Sequence, residues 1–107
     1  MLKYITAVAI SLVFLLASVT SLAQSTGADT YKAKCQMCHG ADGLGNTPAG
    51  KAMNAHPFNS PDVLKESDAD LTTIIKGGKN KMPAFSGKLT DAQITDVLGY
   101  IHTLQKK

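Results

Sequence analysis

Cys35-Gln36-Met37-Cys38-His39 is the stretch that decides the fold of this chain. Two cysteines separated by two residues and followed directly by histidine form the CxxCH pentapeptide, the attachment motif of a c-type haem. In this motif the thiols bind the haem covalently and the histidine ligates its iron from one side. The sequence contains only these two cysteines. We therefore predict one covalently attached haem c, with Cys35 and Cys38 as its attachment residues and His39 as an axial ligand.

The first 23 residues have the pattern of a secretory signal peptide. Lys3 supplies a short positive segment, residues 5–19 are almost entirely apolar, and Ser21-Leu22-Ala23 resembles a small-residue cleavage site. The apolar run is shorter than the ~20 residues that a membrane-spanning helix needs. We expect residues 1–23 to be removed, leaving residues 24–107 as one domain in the periplasm or another extracytoplasmic compartment, with no membrane span. The alternative is an uncleaved membrane anchor.

The composition suits a small core built around a cofactor. A domain of this size is marginally stable on apolar burial alone, and a covalent haem would supply a large apolar centre. The chain has no tryptophan and only 6% aromatic residues. Its formal net charge is +3, but it lacks the basic stretches with interleaved aromatics that are typical of nucleic-acid-binding proteins.

Helical patterns recur along residues 24–107, and no strand pattern does. We expect a first helix over residues 27–37 and a short one over residues 61–65, with Ser60 as N-cap and proline at its first position. A third helix should begin at the N-cap Ser67 and stop at the glycine pair 77–78. The glycine-rich residues 40–59 show no periodicity, and we expect a loop that wraps the haem.

The last helix has the clearest pattern. Thr90-Asp91-Ala92-Gln93 fits a capping box. Apolar residues then recur at three- and four-residue steps, at Ile94, Val97, Leu98, Ile101 and Leu104. The four expected helices and the absence of strands predict an all-α fold.

Three methionines are candidates for the axial position opposite His39, where a thioether raises the reduction potential. Met37 lies inside the attachment motif and cannot reach the opposite face. Met53 follows His39 closely, in a loop that can stay on the histidine side. Met82 follows a helix that can carry the chain across, and Pro83 stiffens the loop beside it. Met82 is the preferred candidate and Met53 the alternative; Met82 as a mere core side chain is the plainer interpretation.

Two stretches carry a resemblance to a known family. Residues 35–40 (CQMCHG) and 79–85 (KNKMPAF), followed by a terminal helix with Tyr100-Ile101, resemble class I monohaem cytochromes c. The small bacterial cytochromes of the c6 and c5 kind are the nearest in pattern, over almost the whole of residues 24–107. The resemblance implies the cytochrome c fold, about four helices packed around one haem, with His39 and Met82 as axial ligands.

The resemblance also implies contacts around the haem. The first and last helices should cross, with Gly27 and Tyr31 meeting Leu98 and Tyr100. Members of the family often place a proline carbonyl against Nδ1–H of the proximal histidine, and Pro48 is the candidate here; the alternative is an ordinary turn proline.

Two further pocket residues are predicted from their position near Met82. Phe85 is expected to pack on the haem. Asn80 is expected to form a hydrogen bond near Met82.

The expected function is that of an electron carrier rather than an enzyme. Axial ligation from both sides leaves the iron no open position, so the haem would pass single electrons between extracytoplasmic redox partners. We expect a monomer that binds no nucleic acid. Lysines in two regions, at Lys32, Lys34, Lys76, Lys79, Lys81 and Lys88, are candidates for docking acidic partners near the haem edge; the alternative is a merely solvated face.

Two other classes of function stay open. The first is a haem enzyme or gas sensor with an open axial position. The second is a non-haem CxxC protein, either a dithiol catalyst or a zinc site completed by His56 or His102. We otherwise expect His56 to face solvent from a loop, and His102 to lie on the polar side of the last helix without a functional role.

Overall fold

The computed structural model describes residues 26–106. Six helices follow one another in this range: α1 (Gly27–Lys34), α2 (Gln36–His39), α3 (Pro48–Ala52), α4 (Pro61–Leu64), α5 (Asp68–Gly77) and α6 (Asp91–Gln105). Besides the helices, these residues form only two isolated β-bridges, Lys79 with Met82 and Ser86 with Leu89. The all-α prediction is confirmed.

The predicted signal peptide, residues 1–23, lies outside the described residues. Among the helices from residue 26 to residue 106, none is long and apolar enough to cross a membrane.

Side-chain caps define where the longer helices begin. Thr26, Ser67 and Thr90 each accept a hydrogen bond from the backbone N–H three residues later, and that residue's side chain accepts one in return. These reciprocal pairs satisfy backbone donors that have no partner inside the helix. The predicted starts at Ser67 and Thr90 are confirmed, and α5 stops at the predicted glycine pair, with Gly78 as its C-cap at φ +74°.

Three details of the predicted helices were wrong. The first predicted helix is two helices, because Cys35 between α1 and α2 departs from helical geometry with φ −119°. Residues 40–59 contain the helix α3, where Thr47 caps the backbone N–H of Gly50 at 2.8 Å and Pro48 occupies the first position. One turn is too short to show periodicity. Ser60 precedes α4 as predicted, but its hydroxyl is buried without a hydrogen-bond partner among the described residues.

The crossing of α1 and α6 is close because Gly27 has no side chain. A Cβ at Gly27 would lie 2.1 Å from the carbonyl oxygen of Asp96. One turn later, the ring of Tyr31 packs on that of Tyr100, with centroids 5.1 Å apart. The predicted crossing is confirmed, but Gly27 meets Asp96 rather than Leu98.

The hydrophobic core lies along α6. All five apolar residues predicted for this helix are buried. The core cluster consists of Tyr31, Phe58, Ile75, Phe85, Leu89, Ile94, Val97, Ile101 and Leu104. Because Ile75, Phe85 and Ile101 also line a large cavity, the core forms one wall of the candidate site.

Candidate haem site

A cavity of about 520 Å³ brings the CxxCH motif together with the loop that follows α5. Cys35, Cys38 and His39 line it from the start of the chain, and Met82 lines it from the distant loop. Most of the remaining wall is apolar, formed by Phe58, Val63, Leu71, Ile74, Ile75, Phe85, Leu98 and Ile101. The volume falls within the ~300–1,000 Å³ that is usual for cofactor sites. Two thiols, an imidazole and a thioether around an apolar cavity are donors that fit a covalently attached haem.

The two thiols of the motif are free and half-buried. Burial, with a smaller contribution from Cys38, raises the pKa of Cys35 to about 11. Dithiol catalysts instead depend on a cysteine whose pKa is lowered to about 7.5 or less. The environment of Cys35 therefore does not favour the dithiol alternative.

His39 lies with its ring stacked on Phe58. The ring centroids are 4.6 Å apart and the planes differ by 23°. Burial lowers the pKa of His39 below its ordinary value, which favours the neutral imidazole that ligates metals.

The predicted contact between Pro48 and His39 is not present. Nδ1 of His39 is buried and has no hydrogen-bond partner among residues 26–106. Pro48 is instead the exposed first residue of α3. Because Pro48 begins a helix and forms no hydrogen bond with Nδ1 of His39, the alternative of a local structural role is the better description of Pro48.

Hydrogen bonds to backbone carbonyls hold the chain on both sides of His39. The hydroxyl of Tyr31 donates to the carbonyl of Gly40 at 2.6 Å, and the N–H of Gly45 donates to the carbonyl of His39 at 2.8 Å. The hydroxyl of Thr47 lies 2.6 Å from the carbonyl of Met37. These contacts tie α1 and α3 to the attachment motif and limit the positions that His39 can take.

Met82 closes a tight turn that begins at Lys79. The N–H of Lys79 donates to the carbonyl of Met82 at 3.2 Å, and the N–H of Met82 donates to the carbonyl of Lys79 at 2.9 Å. Asn80 adopts a left-handed conformation with φ +53°, which Asn tolerates better than most residues. Asn80 thus shapes the turn through its backbone, and the predicted hydrogen bond of its side chain stays a prediction.

The loop then returns to α5. The N–H of Phe85 donates to the carbonyl of Ile75 at 3.0 Å. Phe85 is 8% exposed, belongs to the core and lines the cavity, a position compatible with its predicted packing on the haem.

The three candidate methionines differ in their surroundings. Met37 is 78% exposed and is absent from the cavity wall. Met53 lines the cavity but is 49% exposed. Met82 lines the cavity, is half-buried and packs against the core cluster. A fixed ligand needs a side chain held in place by packing, and Met82 meets that requirement better than Met53.

Comparisons with known proteins agree with this geometry. The family described as "Cytochrome C oxidase, cbb3-type, subunit III" matches residues 22–101. Cytochrome c6 of Thermosynechococcus vestitus is 36% identical over 104 residues, which is 92% of this chain and 88% of that protein. The chain belongs to the class I monohaem cytochromes c, and it is c6-like.

Two further similarities extend the comparison. The cbb3-type cytochrome c oxidase subunit CcoP of Azospirillum brasilense is 32% identical over 89 residues, which cover 81% of this chain and 30% of that subunit. The solved structure of KustC0563 c-type cytochrome matches with a TM-score of 0.68 at 27% identity, over 75% of this chain and 98% of that one. The cytochrome c fold is therefore shown by sequence and by structure.

Charged side chains surround the mouth of this cytochrome's cavity. Of the lysines predicted for docking, Lys34, Lys79 and Lys81 line it. Lys76 instead pairs with Asp91 at 2.8 Å. Lys65, which sequence reasoning did not include, also lines the cavity and pairs with Asp62 at 3.3 Å. The positive rim is thus smaller than predicted and includes nearby carboxylates.

The two remaining histidines have different surroundings. His56 is exposed, as predicted, although it lines the cavity. His102 is half-buried and contacts Asp68 and Gln105 rather than the cavity. No group of three or more His, Cys, Asp or Glu residues in the described part of the chain is arranged to hold a metal ion.

Sequence reasoning missed Phe58 and Gln105. Phe58 stacks on His39, and the side-chain N–H of Gln105 donates to the carbonyl of Phe58 at 3.0 Å. Phe58 is the only aromatic residue of the glycine-rich segment 40–59, and that isolation could have marked it as buried. Nothing in the sequence around Gln105 indicates its partner 47 residues earlier.

Proposed function

We propose that this protein is a one-electron carrier that acts outside the cytoplasm through a single haem c. The observation that carries the proposal is the shared cavity of Cys35, Cys38, His39 and Met82. When bound, the haem would supply a ferric–ferrous couple.

The residues that line the cavity would have separate roles. Cys35 and Cys38 would hold the haem covalently, and His39 and Met82 would ligate its iron. Since thioether sulfur favours ferrous iron, this ligand pair supports a raised reduction potential. The apolar wall would keep water from the iron, and Phe85 would pack on the haem.

A saturated iron has no position for a substrate, so the proposed role is transfer rather than catalysis. The likeness to cytochromes c6, most of whose length the chain covers, supports a carrier that meets separate redox proteins. The likeness to CcoP covers 30% of that subunit and supports the same electron-transfer role next to an oxidase.

The partners we propose carry acidic docking surfaces. Lys34, Lys79 and Lys81 lie exposed around the cavity mouth and would guide such partners to it by charge. Attraction between exposed charges weakens over a Debye length of about 10 Å at 0.1 M salt. The rate of electron transfer to an acidic partner should therefore fall as ionic strength rises, and a rate independent of salt would contradict this docking.

The deciding experiment compares the visible spectra of wild type, Met82→Ala and Met53→Ala after expression with a haem-attachment system. We expect a sharp c-type α-band in the reduced wild-type protein. The weak long-wavelength band of methionine bound to ferric iron should disappear in Met82→Ala and persist in Met53→Ala.

Each other outcome points to a different conclusion. Loss of the band in Met53→Ala instead would move the axial position to Met53. Carbon monoxide binding to the native reduced protein would indicate an open-site haem protein. Absence of covalent haem would overturn the proposal.

A further inference from the structure

A continuous series of contacts joins the surface of α6 to the ring of His39. Nε2 of His102 lies 2.7 Å from Oδ1 of Asp68, and Nδ1 lies 2.6 Å from Oε1 of Gln105. Nε2 of Gln105 donates to the carbonyl of Phe58 at 3.0 Å. The ring of Phe58 is stacked on the imidazole of His39. Gln105 and Phe58 thus connect the titratable ring of His102 to the proposed proximal ligand.

The hydrogen-bond partners determine where the protons lie. The carbonyl of Phe58 can only accept, so the amide nitrogen of Gln105 must face it. Oε1 of Gln105 must then face His102, whose Nδ1 has to carry a proton. The carboxylate of Asp68 requires a proton on Nε2 as well. Both ring nitrogens donate, so the arrangement is complete only when His102 is protonated.

We propose that His102, acting through Gln105 and Phe58, positions the imidazole of His39, so that protonation of His102 and reduction of the haem iron favour each other. This inference rests on the proposed function, because it needs haem iron bound to His39. His102, Gln105 and Phe58 are positioning residues in this scheme and do not touch the iron.

Loss of a proton from His102 would interrupt this series of contacts between His102 and Phe58. The remaining proton is best kept on Nε2, against the negative charge of Asp68. Nδ1 would then face Oε1 of Gln105 with no proton between them. If the amide turned to repair this contact, its oxygen would face the carbonyl of Phe58. Either way, one hydrogen bond between His102 and Phe58 is lost.

His39 is sensitive to such a change because no hydrogen bond within residues 26–106 fixes Nδ1 of its ring. Its ring is stacked on that of Phe58, so a shift of Phe58 acts directly on the imidazole. The backbone of Phe58 is held by Gln105 and by its own N–H, which donates to the carbonyl of Gly43 at 2.9 Å. Release of the Gln105 contact leaves one of these two supports.

The charges near His102 agree with a protonated state. Its hydrogen bond to Gln105, followed by the bond and the charge of Asp68, raises the pKa of His102, while burial and the charge of Lys106 act in the opposite direction. Asp68 from α5 and Lys106 at the end of α6 are the charged groups that act on it within the described residues. The pKa of His102 therefore lies above its ordinary value of about 6.5.

The sign of the effect follows from charge, whereas its size is set by the series of contacts through Gln105 and Phe58. Reduction removes one positive charge from the iron, so a positive His102 is favoured in the ferrous protein. By reciprocity, protonation of His102 favours reduction by the same factor. Typical coupling factors begin at about fivefold. A tenfold change corresponds to about 59 mV for one electron. The reduction potential would therefore fall by about 41 mV as the pH rises through the titration of His102.

The test is the reduction potential of the holoprotein as a function of pH in wild type and four variants. His102→Gln should lose the step, and Gln105→Leu should lose most of it while keeping the titratable ring. Asp68→Asn should move the step to lower pH, because it removes the negative partner. Thr103→Ala is the control, since Thr103 lies on the same helix but its hydroxyl donates to the carbonyl of Tyr100; its profile should match wild type.

A second measurement needs no variant. The pKa of His102, followed by NMR in the ferric and ferrous wild-type protein, should be higher in the ferrous state by the same factor. Equal values would overturn the proposal. A step that persists in Gln105→Leu would show that charge alone acts through space, which also overturns the role of Gln105 and Phe58. A protein without covalent haem has no potential to measure, so failure of the proposed function is recognised separately.

Discussion

At the scale of single residues, Tyr31 combines three contacts that hold the attachment motif. Its ring packs on that of Tyr100 and meets that of Phe58 edge-on. The ring centroids of Tyr31 and Phe58 are 6.2 Å apart. Its hydroxyl donates to the carbonyl of Gly40, directly after His39. Burial raises the pKa of Tyr31 above its ordinary value, so the hydroxyl stays protonated as a donor. One side chain of α1 thus joins the helix crossing to the backbone beside His39.

Tyr31→Phe keeps the packing and removes only this donor. The buried carbonyl of Gly40 would keep only the longer bond from the N–H of Gly43, at 3.2 Å, so we expect the free energy of unfolding to fall by about 0.5–1.5 kcal/mol. Denaturant unfolding of the holoprotein measures the loss. Tyr100→Phe is the matched control and should cost less, because Tyr100 is half-buried and its hydroxyl has no protein partner in the described region. Equal losses in both variants would contradict the importance of the Gly40 contact.

At the scale of helices, the crossing of α1 and α6 depends on the missing side chain of Gly27. A methyl group there would collide with the backbone of Asp96, which cannot turn away as a flexible side chain could. Separation of the two helices would also disturb the contact of Tyr31 with Tyr100. The helix pair therefore has little freedom to change its distance.

Gly27→Ala should destabilise the holoprotein by about 1–3 kcal/mol, the usual cost of overpacking. Gly99→Ala is the control within α6, where an added Cβ would meet nothing within 4 Å. That change should stabilise by about 0.5–1 kcal/mol, since alanine suits a helix interior better than glycine. Thermal unfolding compares them, and a neutral Gly27→Ala would show that the crossing tolerates a wider spacing.

The loop of residues 78–85, called the methionine loop after Met82, depends in the same way on the missing side chain of Gly78. Gly78 has φ +74°, and a Cβ there would lie 2.7 Å from the carbonyl oxygen of Met82. Gly87 has a similar φ of +81°, but a Cβ there would meet nothing within 4 Å. The two glycines thus share a positive φ, and they differ in their contact with Met82.

Gly78→Ala should weaken or remove the methionine–ferric iron band, because the collision pushes Met82 from its place. Gly87→Ala should keep the band and lose only stability, by about 1–3 kcal/mol for a strained backbone. Visible spectra of the ferric proteins separate the two effects. Loss of the band in both variants would mean that strain alone displaces the loop.

At the scale of the whole molecule, the core and the cavity are parts of one interior. Residues of α5, α6 and the methionine loop face both, so a bound haem would complete a core that is otherwise open on one side. Apolar burial alone leaves small domains only marginally stable. The proposed haem is thus expected to act as a structural element as well as a redox centre.

The apoprotein, made as Cys35→Ser/Cys38→Ser without haem attachment, should lose most of its helical content and its cooperative unfolding transition. Far-UV circular dichroism and thermal unfolding measure both. Wild-type holoprotein is the control. A cooperative transition of equal stability in the apoprotein would show that the helices form a sufficient core by themselves.

Features that depend on residues close together in the chain could be predicted from the sequence. The attachment motif, the caps at Ser67 and Thr90 and the apolar positions of α6 depend on residues close together in the chain, so their patterns predict them directly. The all-α class and the family followed from these patterns. The one-turn helix α3 was missed because a single turn contains no apolar repeat, whereas α4, equally short, was predicted from its cap and proline.

Contacts between distant segments were decided only by the tertiary structure. The sequence could suggest Pro48 as the partner of His39, but it could not show that this proline begins a helix and faces solvent. It could not reveal that Phe58 stacks on His39, or that Gln105 and His102 lie behind Phe58. Such contacts depend on how α6 packs against the rest of the chain, because packing sets which side chains from distant positions come within hydrogen-bonding distance.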